Sequence, residues 1–506
     1  MITVIAAAVM ELIDTSIVNV ALSYRSGNLG STLEDTSWVI TAYAIANVIV
    51  IPIMSFLSGK LGRRNYYIGS VILFTVSSFL CGQATNIWML VAFRFLQGMG
   101  GGALLSVSAA IVYELFPKEK QNIASALFGV GVFVGPTIGP TLGGFITEHY
   151  SWPWIFYINI PIGIAVVVIC SKLLGEPAIK PTVGRIDWTG IGLLAVGIGS
   201  LQTVLERGET DDWFAANYIV VLTAAAILGL ALFVWWELRV KSPVVNLRVL
   251  RSKNLSIAAV LTFVSGIGLF SSVYLTPVYA QRLLGFTPTE TGLLLLPGAI
   301  LAIGGLVISA RLLQRGISPV VMVTAGMLLF ILFTWQMSRL DLDAGSRDLW
   351  VALIWRGVGL AIVTVPLSTL AISSLEPKDM PQGTALNNMM RQLGGSFGIA
   401  TVNTYLTRRN AVHRTDLVSR IVPGDPLVAE RLNRYTSYFL SKGSGGAEAH
   451  QQALGLLDNV VVKQSNALSF GDAYLLLGVF FLFSVPLLLL ARRKKGAKPQ
   501  VALADH

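Results

Sequence analysis

Two acids stand where acids are costly. Glu11 and Asp14 lie within Met10–Asn19, inside an apolar run from Ile2 to Leu22 that is long enough to cross a hydrocarbon core as a helix. Being three residues apart, they share a helix face, with Asn19 nearby. An ionised carboxylate at membrane depth costs about 3 kcal/mol on the gentler insertion scales. Desolvation favours the protonated form, so such a group takes up or releases a proton as its surroundings change. Two readings are open: a polar contact between packed helices, or a proton-exchanging site, the reading an intramembrane acid supports by default.

Composition says what must position these acids. The 506-residue chain is 54% hydrophobic and 13% charged, and its apolar residues fall in runs of membrane-spanning length. The expected class is an all-α polytopic membrane protein with the lipid bilayer as its surroundings. The net charge of +10 sits mostly in short loops between apolar runs, where cations orient helices, so no nucleic-acid partner is expected. Cys81 and Cys170 each lie inside an apolar run and read as packing residues; His149, His413, His450 and His506 are scattered, and no metal pattern emerges. No phosphate-cradling G-x-x-x-x-G-K-S/T loop appears, which disfavours ATP-driven work, and no cofactor is expected. Met1 stands almost inside the first span with no basic region or small-residue cleavage site, so no cleavable signal peptide is expected.

Spans are expected near 2–24, 36–58, 66–84, 87–113, 121–147, 153–174, 187–206, 215–237, 254–281, 289–313, 318–338, 347–374, 381–406 and 470–491, about fourteen helices. Cations follow the even-numbered spans: Lys60, Arg63 and Arg64; Lys118 and Lys120; Lys172, Lys180 and Arg185; Arg239 to Lys253; Arg311 and Arg315; and Arg492 to Lys495. Acids such as Glu209, Asp211, Asp212, Asp341 and Asp343 mark the opposite loops, so both termini are expected in the cytoplasm. Residues from about 408 to 468 form a long polar external segment in which Leu427–Leu440 and Gln451–Val462 suit amphipathic helices. It is either a docking surface or a tolerated insertion.

An internal repeat organises the spans. Trp88, Arg94 and Gly98, then Glu114 to Glu119, then Ala124 to Leu127, recur as Trp350, Arg356 and Gly359, Ser374 to Asp379, and Gly383 to Leu386. The offset suits two six-helix halves with two extra helices between them: 1–175, a linker region 176–253, and 254–506 with its external loop and basic tail. Duplicated halves with a midplane site between them are the architecture of rocking transporters.

Motifs then carry a family likeness. Ser55 to Arg64, with Lys60, Gly62, Arg63 and Arg64, resembles the cytoplasmic-loop signature of the major facilitator superfamily, G-x-L-x-D-R-x-G-R-R/K, except that Ser55 and Gly59 replace its first glycine and its acid. Arg94 to Gly98 is similar to the family's R-x-x-Q-G. A guanidinium cannot shed its charge at depth and needs acceptors or water, for which the first-helix acids are candidates; a structural arginine bonded to backbone carbonyls is the alternative. Gly131, Gly135, Pro136, Gly139, Pro140, Gly143 and Gly144 closely resemble the superfamily's antiporter motif, G-x-x-x-G-P-x-x-G-G. Glycine at every fourth residue bares a helix face for close approach, and the prolines bend the helix.

Glu11 to Leu22, His149 to Gly163 and Arg391 to Gly398 resemble the fourteen-helix drug:proton antiporters of the EmrB/QacA type, with Ser23 where that family usually has proline, and the long loop points to the EmrB branch. The resemblance implies a proton-coupled exporter of drugs or other amphiphilic compounds in a bacterial inner membrane. It also implies a periplasmic membrane-fusion adaptor and an outer-membrane channel as partners. Asp14, Glu11 and Arg94 are the expected proton-coupling residues. Asn19, Trp38, Tyr43, Asn47, Gln97, Asn387 and Asn388 are candidate substrate-lining side chains. Rival readings are a dedicated exporter of a siderophore, fatty acid or peptide, and a membrane enzyme, for which no nucleophile–base pair or metal cluster is found.

Overall fold

The computed structural model describes residues 1–21, 33–117, 121–175, 187–240, 243–373, 375, 380–422 and 424–490. In lipid each backbone amide and carbonyl must find its partner within the segment, so apolar runs become helices. In chain order these are α1 (Ile2–Ala21), α2 (Leu33–Leu61), α3 (Arg63–Gly82), α4 (Ile87–Glu114), α5 (Gln121–His149), α6 (Trp154–Tyr157), α7 (Asn159–Leu173) and α8 (Trp188–Arg207). They continue as α9 (Asn217–Glu237), α10 (Lys253–Arg282), α11 (Pro288–Gln314), α12 (Pro319–Met337), α13 (Ser346–Ser373), α14 (Met380–Ser419), α15 (Pro426–Ser441) and α16 (Gly446–Ser484). Among the described residues ten segments are long and apolar enough to cross a membrane, α6 and α7 together forming one of them. The further long helices α1, α2, α5 and α14 lie where the other spans are expected.

The two halves are built alike. In the first, α1 packs on α5, α2 and α3 on α4, and α3 on α7; in the second, α10 packs on α14, α11 and α12 on α13, and α12 on α16. Each half has its own apolar core: Val71, Phe74, Leu104 and Val112 in the first, Phe330, Phe333, Leu353 and Phe481 in the second. The halves meet where α5 lies against α11 and α2 against α14. The extra pair α8–α9 lies outside them, with α8 touching both α2 and α14.

The expected spans coincide with these helices to within a turn, except at the end of the chain. Instead of a long external loop between spans 381–406 and 470–491, α14 runs on to Ser419 and the last helix begins at Gly446. Gln451–Val462 is thus the front of α16, while Leu427–Leu440 is most of α15. Polar residues carry these extensions because they face one another: Arg409 reaches Asp472 at 2.5 Å, His413 the same carboxylate at 2.8 Å, Asn410 donates to Asn466 at 2.6 Å, and Arg414 meets Asp458 at 2.9 Å. Hydropathy alone cannot register a helix stabilised in this way. The cations Lys118, Lys120, Lys180, Arg185, Lys241 and Arg492 to Lys495 lie outside the described residues.

The hairpin pairing predicts a cross-link. With Asn410→Cys and Asn466→Cys and a protease site inserted after Gly443, oxidised protein is expected to stay one band after cleavage until reductant is added. Separation without reductant would contradict the pairing of α14 with α16.

Candidate functional site

The polar centre of the first half is assembled around Asp14. Its side chain is fully enclosed at 0% exposure, and that of Arg94 is 1% exposed. Arg94 Nη1 donates to Asp14 Oδ2 at 2.6 Å and to Gln97 Oε1 at 2.7 Å. Gln97 Nε2 donates to Asp14 Oδ1 at 3.0 Å and to Ser78 Oγ at 2.7 Å, and Asn159 Nδ2 donates to Asp14 Oδ1 at 2.7 Å. Four helices thus contribute: α1 the acid, α4 the cation and amide one turn apart, α7 its first residue and α3 the serine. Both carboxylate oxygens are satisfied, as a buried charge requires.

Glu11 does not join this set. Its Oε1 accepts from the Tyr43 hydroxyl at 3.2 Å and from Asn47 Nδ2 at 3.0 Å, both on α2, while its buried Oε2 has no hydrogen-bond partner among the described residues. The acids nevertheless share one neighbour: the Arg94 guanidinium lies 4.2 Å from the Tyr43 ring centroid, a cation–π contact on the ring whose hydroxyl serves Glu11. The glycine run after Gln97 makes the approach of α2 to α4 feasible. A Cβ at Gly98 would stand 2.5 Å from the Tyr43 carbonyl oxygen, and one at Gly102 2.6 Å from that of Asn47.

The glycines of α5 face the acid-bearing helix. A Cβ at Gly131 would come within 2.9 Å of Val9, at Gly135 within 2.5 Å of Leu12 and at Gly143 within 3.0 Å of Ile17; at Gly139 it would overlap the Ser16 hydroxyl. Ser16 Oγ also approaches the Gly135 carbonyl oxygen at 3.4 Å. Gly144 is buried in the same helix, and of Pro136 and Pro140 the structure describes only their place in α5. The bare stripe therefore seats the very turns of α1 that carry Glu11 and Asp14.

At the α2–α3 turn Gly62 adopts φ 82°, a left-handed conformation that glycine reaches without a Cβ clash. Arg63 pairs with Glu114 at the end of α4, and Arg64 donates to the Ser171 carbonyl near the end of α7, where helix carbonyls present partial negative charge. Lys60 is exposed in the last turn of α2.

Most candidate lining residues are engaged elsewhere. Tyr43 and Asn47 hold Glu11, Gln97 holds Asp14, and Asn387 accepts from Thr262 within the second half at 2.8 Å. Trp38 is half-buried, with the Arg207 guanidinium 5.2 Å from its ring centroid. Asn388 alone of them spans the halves, donating to Ser106 on α4 at 3.2 Å and accepting from Arg391 at 2.6 Å. The side chain of Asn19 lies outside the described residues. Two residues of the Asp14 set escaped the sequence reading: Asn159, an amide isolated in an apolar stretch, carried a signal; Ser78 carried none.

A repeated helical bundle with a buried ion pair between its helices is a build that suits a membrane transporter. The chain belongs to the Major Facilitator Superfamily, whose sequence profile matches residues 4–399. It is 33% identical over 488 residues to the fatty acid resistance protein FarB of Neisseria gonorrhoeae, covering 96% of this chain and 94% of the relative. It is 32% identical over 494 residues to the multidrug export protein EmrB of Escherichia coli K12, covering 97% and 94%. The crystal structure of the human organic anion transporter MFSD10 superposes with a TM-score of 0.59 at 12% identity, over 96% of this chain and 98% of that one, a likeness of fold.

Two predictions test the packing and the ion pair. Gly139→Ala is expected to cost about 1–3 kcal/mol of stability through overpacking. Gly69→Ala, where a Cβ meets nothing within 4 Å, is expected to leave the melting temperature unchanged or slightly raised. Asp14→Asn alone strands the Arg94 charge and is expected to cost about 3–5 kcal/mol. Adding Arg94→Gln is expected to recover part of that loss in thermal unfolding; fully additive losses would show that the two do not act as a pair.

Proposed function

We propose that the protein is a proton-coupled exporter of amphiphilic or toxic compounds in a bacterial inner membrane, with Asp14 as the proton-exchanging group. The observation that carries this reading is the ionisable side chain of Asp14, buried among Arg94, Gln97, Asn159 and Ser78 on a helix seated in the glycine face of α5. The ion pair with Arg94 ties the charge of Asp14 to the seating of α1 against α4, so a shift between those helices is the step on which proton exchange turns. In the cycle Asp14, with Glu11 beside it, is protonated from outside and releases its proton inside, and cargo binds the ionised, inward-facing state. Each proton charge moving inward supplies about 2.3 kcal/mol per 100 mV of membrane potential.

The halves 1–175 and 254–506 rock about the α5–α11 and α2–α14 contacts, with 176–253 contributing the extra pair. The antiporter stripe of α5 keeps the seal tight, and Gly62, Arg63 and Arg64 brace the ends of α4 and α7 in this state. Both termini lie in the cytoplasm by the distribution of cations. The names of the two relatives, a multidrug export protein and a fatty acid resistance protein, support a lipophilic cargo. The hairpin of α14, α15 and α16 is the surface offered to a periplasmic membrane-fusion adaptor, which passes cargo to an outer-membrane channel.

The test is transport of a dye panel into or out of sealed proteoliposomes under an imposed pH gradient, normalised to folded protein. Asp14→Asn is expected to abolish gradient-driven transport. Pumping equal to wild type would remove the role given to Asp14. Competition among chemically unrelated compounds is expected, and its absence would mark a dedicated exporter.

A further inference from the structure

The extra helix α8 carries a polar set that the proton cycle does not use. Gln202, fully buried, donates through Nε2 to Glu206 Oε1 one turn on at 3.0 Å and to Ser396 Oγ on α14 at 2.8 Å. Its own carbonyl oxygen, Oε1, is buried and has no hydrogen-bond partner among the described residues. Glu206 is half-buried, and its second oxygen receives no hydrogen bond among the described residues. The adjacent Arg207 guanidinium pairs with Asp211 at 3.0 Å and lies over the Trp38 ring.

This set lies on a seam. Ser396 belongs to α14 of the second half, whereas Trp38, Ile45 and Ile49 belong to α2 of the first. A Cβ at Gly199, on the same face of α8, would stand 3.6 Å from Ile49 and 3.7 Å from Ile45. Two acceptors without donors, one of them a carboxylate, therefore stand beside an apolar wall. A buried acceptor left unmet costs about 1–3 kcal/mol, and a carboxylate more. An anion is repelled there. A quaternary ammonium brings charge without a hydrogen to donate; a head bearing N–H groups brings both.

We propose that Glu206 and Gln202 form a binding site for the N–H-bearing cationic head, primary ammonium or guanidinium, of an amphiphile whose alkyl chain lies along Ile45 and Ile49. The head bonds Glu206 and the orphan oxygen of Gln202 at once. The site goes beyond the proton-coupling scheme and does not depend on Asp14.

The experiment is equilibrium binding of radiolabelled dodecylammonium and dodecyltrimethylammonium to the full chain in lipid nanodiscs, with partition into empty nanodiscs subtracted. Wild type is expected to bind dodecylammonium saturably and at least tenfold more tightly than its trimethyl counterpart. Glu206→Gln is expected to weaken dodecylammonium binding tenfold or more, and Glu430→Gln, an exposed acid of α15, to leave it unchanged, which separates this site from the general negative charge of the chain. Equal affinity for the two heads, or unaltered binding by Glu206→Gln, would overturn the proposal. Should that variant fail to fold, Gln202→Met reads the head preference by itself: with one of the two acceptors gone it is expected to shrink several-fold, and an undiminished preference would be equally fatal.

Discussion

An arginine cannot lay down its charge, and a hydrocarbon core offers it no water. Arg94 is therefore bound to Asp14 of α1, to Gln97 of its own helix and to the Val39 carbonyl oxygen of α2, with Asp14 first among them. In surroundings of low dielectric the pair is strong only when every remaining lone pair and proton is met. That requirement draws in Gln97, Asn159 and Ser78 and so fixes how α1, α3, α4 and α7 stand against one another. The close seating of α1 on α5, possible because glycines leave the stripe bare, belongs to the same constraint: the acid must stay at one depth for the set to close.

The second half repeats the helix pairing but not the chemistry. Arg356 stands in the sequence repeat where Arg94 stands in the first half, yet it donates to the Ser272 carbonyl oxygen at 3.5 Å, and no acid pairs with it among the described residues. Proton exchange, in the scheme proposed, is thus a property of one half, and the other half moves against it. Asn388 and Arg391 are the side chains that carry the second half to the seam at α4.

Much of this was legible in the chain because the bilayer permits few solutions. Runs of apolar residues must be helices, and an acid or arginine inside such a run stands out, so Asp14, Glu11 and Arg94 were visible from residue type alone. Serine is common in membrane helices and gives no warning, which hid Ser78. Gln202 and Glu206 sit so near the end of a span that they read as loop-proximal polarity. Tyr43, Asn47 and Gln97 were recognised as polar residues worth a role, but helix faces cannot be fixed without knowing the neighbours, and all three turn to the acids. The extensions of α14 and α16 were missed for a different reason: their polar faces are met by each other's side chains, a pairing invisible to any window of hydropathy.

One consequence of the unbroken course of α14 concerns motion. Its 40 residues, at 1.5 Å each, make a rod of about 60 Å. Asn388 and Arg391 sit near one end of that rod, and the hairpin caps the other. Because the helix is continuous, a tilt at the seam reappears at the tip as a displacement scaled by the lever's length. A few degrees at the base become several ångströms at the far end, so whatever grips the hairpin feels which way the second half leans.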